Sequence, residues 1–208
     1  MKRYFFIILM IPFFCLWGLA EQAVAIAQGP TEQLQPMISE ITEILADASY
    51  SMKNNEDKVE QVMSVARQGF DFEEMSKRVL GSQWRSLSKE EKSQFTELFT
   101  ELLKYAYVRQ VDRYSGQRIE FLKERIRGRR AEVQTMFLDG STQIPVSYIL
   151  IQRGEKWLIY DVVVEGVSLI RNYLEQFQTI VRKEKFEGLM AQLEAKIAAL
   201  KANPNANS

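Results

Sequence analysis

Asp161 stands in an otherwise apolar run, Trp157-Leu158-Ile159-Tyr160-Asp161-Val162, with a phenol directly before it. Apolar surroundings push a carboxyl group toward its neutral form, and a raised-pKa Asp beside a Tyr donor is the equipment of small proton-shuttling isomerases. A structural acid near a strand end, capping a helix or pairing with an Arg, would look the same in sequence. Little else in the chain could do catalysis. It contains no histidine, which removes imidazole bases, Ser-His-Asp triads and His-ligated metals. Its single cysteine is Cys15, inside an N-terminal apolar run. Neither the P-loop pattern nor GxGxxG occurs. No metal or cofactor is expected, and any reaction would rest on carboxylates, Lys or Tyr alone.

Charge offers one further constellation. Arg125, Arg127, Arg129 and Arg130 surround Gly128, either as a solvated hairpin tip or as a docking patch for an acidic partner surface. The chain as a whole is balanced, with 27 basic and 27 acidic residues. Setting residues 1–27 aside removes Lys2, Arg3 and Glu21 and leaves 25 against 26. That balance gives no global attraction to nucleic acid or to anionic membrane, and no nucleic-acid partner is expected.

The elements that must position these residues follow from punctuation and period. Lys2 and Arg3 precede an apolar stretch broken by Pro12, and Ala23, Ala25 and Ala27 alternate after it. This is the layout of a cleaved secretory signal peptide over residues 1–27, without the small residues before Cys15 that a lipoprotein box needs. The mature chain would be exported without a thiol, disulfide or lipid anchor, and its core must hold it alone. Residues 28–200 are expected to form one domain, with residues 201–208 as a disordered tail. Leu34, Met37, Ile38, Ile41, Ile44 and Leu45 set a helical stripe over residues 31–48. Val59, Val62, Met63, Val65 and Ala66 set a second. Asp71 with Glu74, and Ser88 with Glu91, are capping boxes that open a third and a fourth helix, and Gly81 stops the third. Trp84 and Arg85 follow that stop as a packed indole with a snorkelling Arg.

The period then changes. Residues 117–126, 129–138, 144–152 and 155–164 read as strands of an antiparallel meander, with Pro145 placed at a strand start. Helical spacing returns after Gly166, with Ser168 as N-cap, and a last helix runs from Phe186 to Leu200. The fold class is α+β: N-terminal helices, a curved four-stranded antiparallel sheet, and C-terminal helices packed on it. Pairing Gln152 with Glu155 would set Leu150 opposite Trp157, Tyr148 opposite Ile159 and Val146 opposite Asp161. Phe137, Thr135, Val133 and Ala131 then join one nearly unbroken apolar face, and the opposite face is mixed. Such a face beside five apolar helical stripes is compatible with a filled core and equally with a cavity for an apolar guest.

Longer strings distinguish the two. Val79-Leu80-Gly81-Ser82-Gln83-Trp84-Arg85 is followed by Phe95-Thr96-Glu97-Leu98-Phe99, Tyr105 and Tyr107. Trp157 to Val162, Glu165-Gly166-Val167-Ser168-Leu169-Ile170 and Asn172-Tyr173 come later. In order and spacing, over residues 33–198, they resemble the MlaC or toluene-tolerance auxiliary family. Leu174 departs from it, standing where many members carry Arg. The resemblance implies helices on a four-stranded sheet and a non-enzymatic periplasmic carrier that binds a phospholipid by its acyl tails. It further implies partners in an outer-membrane lipoprotein complex and an inner-membrane ABC transporter complex, and it favours the structural reading of Asp161. Two tails of about 30 methylenes represent about 24 kcal/mol of transfer from water, so such a site must be deep and apolar, and release must be assisted. The expected lipid-binding residues are Phe95, Phe99 and Leu102 on the fourth helix, with Leu169 and Tyr173 after the sheet. Val133, Phe137, Val146, Tyr148, Leu150, Trp157, Ile159 and Val163 complete the set from the strands.

Two other classes remain: an isomerase-like or hydrolytic enzyme built on Asp161, and a periplasmic chaperone that exposes apolar surface. For the leader, N-terminal sequencing of the periplasmic form is expected to begin near Gln28. A membrane-bound product that retains Met1 would show that no cleavage occurs.

Overall fold

The computed structural model describes residues 28–47, 55–112 and 116–202. The expected signal peptide, and residues 203–208 of the expected tail, lie outside the described residues. Pro30 sits in the first turn of α1 (Pro30–Ala46), where its missing N–H costs nothing, and the Gly29 N–H donates to Glu32 Oε2 at 3.1 Å. Helix α2 (Asn55–Gly69) returns alongside α1. A Cβ on its last residue, Gly69, would stand 1.9 Å from the Met37 sulfur, so a larger residue there fits only if the Met37 side chain moves. Asp71 caps α3 (Phe72–Leu80) by accepting from the Glu74 N–H at 2.9 Å. The return half of that expected box is absent: Glu74 turns inward to Arg78 and Arg153 instead. Gly81, at φ 57°, ends α3, and a 3-10 turn over Gly81–Ser86 buries Trp84. The second box forms in full at the start of α4 (Lys89–Asp112): Ser88 N–H to Glu91 at 2.7 Å, and Glu91 N–H to Ser88 Oγ at 3.1 Å.

The sheet is an antiparallel meander of β1 (Arg118–Arg127), β2 (Arg130–Asp139), β3 (Thr142–Arg153) and β4 (Lys156–Val164). A two-residue β5 (Val167–Ser168) extends the expected four strands to five. Pro145 lies inside β3, opposite Met136, and not at its start. Its carbonyl accepts from the Glu165 N–H at 3.0 Å. N–H and C=O of one strand residue point the same way, so the missing donor faces the point where β4 has already turned off, and no ladder bond is lost.

The β3–β4 register differs from the sequence-based pairing. The turn closes at Arg153–Lys156, which sets Leu150 opposite Ile159 and Gln152 opposite Trp157. Beyond Leu150 the register shifts, so that Ile149 faces Asp161, Tyr148 faces Val162 and Val146 faces Val164. Asp161 and Val163 therefore lie on the face opposite Val146, contrary to the expected pairing of Val146 with Asp161.

Helices cover both faces. Leu34 and Ile38 of α1 pack on Ala131, Val133, Tyr148, Leu150, Trp157 and Ile159. The mixed face is also buried where α3, α4 and α5 (Leu169–Ala202) enclose Tyr160, Ile149 and Ile151. Within that second core, Phe95 meets Phe177 edge-on at 6.0 Å and stacks on Phe99 at 5.9 Å. Helix α5 bends at Lys185, whose φ of 62° separates the two expected C-terminal helices. It runs through Lys201, which bonds Glu101 at 3.0 Å, so the helix extends two residues into the expected tail. The outer edge of β4 is closed by the chain itself. Gln33 Oε1 accepts from the Trp157 N–H at 2.9 Å, and the Asp71 N–H donates to the Ile159 carbonyl at 2.8 Å.

Gly69→Ala is expected to lower stability by about 1–3 kcal/mol through overpacking against Met37, read from denaturant or thermal melts. Met37→Ala in the same chain should recover much of the loss. Additive effects of the two changes would dissociate Gly69 from Met37.

Candidate functional site

At the end of the sheet that α1 leaves uncovered, the apolar face opens into a cleft of about 670 Å³. Its floor is Phe137, Ile144, Val146, Val162 and Val164. The walls come from four helices: Met63 and Ala66 of α2, Phe72 and Met75 of α3, Leu103 and Tyr107 of α4, and Leu169 of α5, with Phe70 between α2 and α3. Val164 and Val167 at the β4–β5 turn are 42% and 63% exposed and form an apolar lip. Polar groups are few: Lys104, the Tyr107 hydroxyl, Glu165, Ser168 and Asn172. An apolar hollow with a handful of polar groups is the make-up of a site for a largely hydrocarbon ligand.

The polar groups are largely engaged with the fold. Lys104 Nζ bonds Glu60 of α2 and lies 5.0 Å from the Tyr105 ring centroid. Burial acts to lower the Lys104 ammonium, but Glu60 and Tyr105 outweigh it and hold it above the ordinary lysine range. Tyr107 and Tyr173 are bonded through their hydroxyls, joining α4 to α5. Burial first, and then this partner, raises Tyr173 above the ordinary phenol range. Its ring stands edge-on to Phe99 at 5.3 Å. Asp161 is the anchor of α5. It accepts from Ser168 Oγ at 2.6 Å and from the Ile170 N–H at 3.1 Å, and Ser168 Oγ in turn accepts from the Arg171 N–H at 3.0 Å. Among the described residues no group of three His, Cys, Asp or Glu side chains could hold a metal ion.

The family model described as MlaC protein matches residues 35–195. The chain belongs to the MlaC family. A curated relative, the intermembrane phospholipid transport system binding protein MlaC of Haemophilus influenzae, is 25% identical over 130 residues. That alignment takes in 60% of this chain and spans 61% of the relative's length. A phospholipid-binding protein from Ralstonia solanacearum, solved in complex with a phospholipid, shares the fold at a TM-score of 0.72 and 17% identity. The superposition covers 81% of this chain and 97% of that one.

Of the residues expected to bind lipid, Phe137, Val146 and Leu169 line the cleft of this MlaC-family chain. Val133, Tyr148, Leu150, Trp157 and Ile159 share the cleft's sheet face but lie at its other end, packed under α1. Leu150, Trp157 and Ile159 also border a groove beside α1, whose walls carry Glu32, Gln33, Glu40, Gln68 and Lys156. Phe95, Phe99 and Leu102 are buried in the helical core, with Tyr173 packed against them. Val163 points to the opposite sheet face, between Ser147 and Ser168. Leu174 lies against Gly81. Sequence reasoning missed Met63, Phe70, Phe72, Met75 and Leu103, together with Val162 and Val164 of the floor. The Phe70-Asp71-Phe72 break between two helices was the available signal for the first group; the strand residues depended on the register shift.

Tyr148 supplies a pH test of which residues are core. Burial pushes its phenol up to about 12, and its bond to Thr135 offsets part of that rise. A folded-state value above the unfolded one, near 10, adds stability that is complete below pH 10 and is lost as pH rises toward 12. Two units correspond to about 2.7 kcal/mol at most. Thermal melts should therefore fall over that window, and Tyr148→Phe should flatten the fall; an unchanged slope in the variant would mean that Tyr148 is solvated.

Proposed function

We propose that this chain is a periplasmic phospholipid carrier that holds acyl chains in the apolar cleft between the sheet and α2–α5. The cleft itself carries the reading: about 670 Å³ bounded by Phe, Met, Val, Leu and Ile side chains and few polar groups. Its volume lies within the range of small-ligand sites. Membership of the MlaC family supports the phospholipid as ligand, as do a relative named for intermembrane phospholipid transport and a neighbour of the same fold solved with a phospholipid. On this reading the chain is exported through a cleaved leader and moves lipid between an outer-membrane lipoprotein complex and an inner-membrane ABC transporter complex. It does so without catalysis. The engagement of Asp161 by Ser168 and the Ile170 N–H supports a structural acid in place of a proton shuttle. The exposed lip of Val164 and Val167 would let a tail leave the cleft with little passage through water.

Val146→Trp tests the site. In a cleft the indole takes the place of guest, so the melting temperature of lipid-stripped protein should hold or rise while lipid extracted per mole of protein falls. Leu150→Trp is the contrast. Leu150 is 1% exposed under α1, and the added bulk should cost about 1–3 kcal/mol. A Val146→Trp protein that melts lower and still carries lipid, or a wild type from which no phospholipid can be extracted or loaded, would end the proposal.

A further inference from the structure

Among the described residues, the β1–β2 hairpin presents a sheet face that no helix covers. Helices α3, α4 and α5 enclose that face over β3 and β4, around Ile149, Ile151 and Tyr160, and stop there. Strand alternation sets Lys123, Arg125 and Arg127 on one side of β1, and Arg130 is the cross-strand partner of Arg127. All four are exposed. Among the described residues, the ion pair on this hairpin joins Arg118 to Glu120 at 2.7 Å, and none reaches these four cations. Of the neighbouring carboxylates, Glu124 lies on the other side of β1 and accepts from the Thr31 N–H at 2.7 Å, whereas Glu132, opposite Arg125, accepts from Gln134 at 2.9 Å and offsets one of the four cations. The chain is neutral overall, so this is a local accumulation and not the reflection of a basic chain.

We propose that this hairpin face is a peripheral binding surface for anionic lipid bilayers. Successive cations on one side of a strand stand about 6.6 Å apart, with the neighbouring strand about 5 Å away, so the four charges lie in one shallow plane. A stereospecific protein interface takes its energy from large anchors buried in pockets, with aromatic residues prominent. Between these cations stand only Glu132 and Gln134, which supply no such anchor. A planar anionic surface requires only several cations at a common level. The basic end of the hairpin pairs with Ile151, whereas the cleft begins around Phe137 and Ile144 at the other end. A bilayer held at this face therefore leaves the cleft mouth unobstructed.

The test is co-sedimentation of the purified protein with phosphatidylcholine vesicles and with vesicles that also contain phosphatidylglycerol. Binding should require phosphatidylglycerol and weaken as salt rises. Changing Lys123, Arg125, Arg127 and Arg130 to Gln, singly and together, should reduce the partition constant about fivefold per cation. Lipid extracted per mole and the melting temperature should not change, which separates this surface from the cleft. A control in which exposed Arg67, Lys89, Lys183 and Lys196 become Gln should keep most of the binding. The proposal is overturned by equal binding to both vesicle types or by no binding to either. It is equally overturned by the same loss in the control variant, or by a hairpin that captures an acidic protein while ignoring vesicles.

Discussion

One extra residue in β4 decides what the sheet can do. Leu150 pairs with Ile159 and Ile149 with Asp161, so Tyr160 and Asp161 together oppose a single residue of β3. A one-residue slip exchanges the two faces of everything beyond it. Without it, Asp161 and Val163 would project into the cleft and Val162 and Val164 would leave it. With it, two valines complete the apolar floor. The carboxylate is delivered instead to the opposite side, where it bonds Ser168 and the Ile170 N–H at the start of α5. A charged group in the floor would have carried a desolvation cost of several kcal/mol unless paired. The bulge thus makes the cleft apolar and anchors the last helix in a single step.

The bulge is held from above by an ionic clamp. Glu74 is 7% exposed, and it takes two partners, Arg78 at 2.8 Å and Arg153 at 3.1 Å. Arg153 also grips Asp71 at 2.9 Å, the residue that caps α3. The Arg78 guanidinium lies 3.8 Å over the Tyr160 ring, so the same group reaches the extra residue of β4. Helix α3 is thereby fixed to the β3–β4 turn and to the strand at its irregular point. Phe70 and Phe72, stacked at 5.8 Å on either side of Asp71, carry this rigidity into the cleft wall.

Local signals were legible in the sequence wherever the physics is local. The Ser88–Glu91 box, the Asp71 and Ser168 caps, the Gly81 stop and the Asp139-Gly140-Ser141 turn each involve residues within four positions, and each formed. The resemblance to the MlaC family was equally readable, because it rests on ordered strings over most of the chain. What could not be read depends on contacts between distant segments. Phe95, Phe99 and Leu102 show the same helical spacing as Leu103 and Tyr107, yet a small turn of the helix puts the first three in a packed aromatic core and the others on the cleft. On the mixed sheet face Lys156, Ser147, Gln134 and Glu132 alternate with Leu158, Tyr160, Ile149 and Ile151, and alternation alone does not say where a helix covers it. It is covered at Tyr160, Ile149 and Ile151, where the long C-terminal helix and α3 lie, with Tyr160 buried and the two isoleucines partly so. The half-formed box at Asp71 has the same cause: Glu74 matched the local pattern, but Arg153, far along the chain, offered the stronger partner.

A cleft walled by flexible apolar side chains is under constant pressure to close, since unfilled space forfeits dispersion contacts on every side. In this fold the opposing walls are tied at fixed spacings by polar bonds at the margin. Lys104 of α4 reaches Glu60 of α2, and Tyr107 of α4 reaches Tyr173 of α5. Each contributes only about 0.5–3 kcal/mol, the higher end belonging to charged partners. Their directionality matters more than their strength. Sliding α4 toward the floor would break both bonds and leave the Lys104 ammonium, whose side chain is 9% exposed, without its carboxylate in a largely apolar wall. That penalty exceeds the value of the intact pair, because a partly desolvated charge loses its compensation along with its partner. The polar groups at the margin of the cleft therefore hold its walls apart.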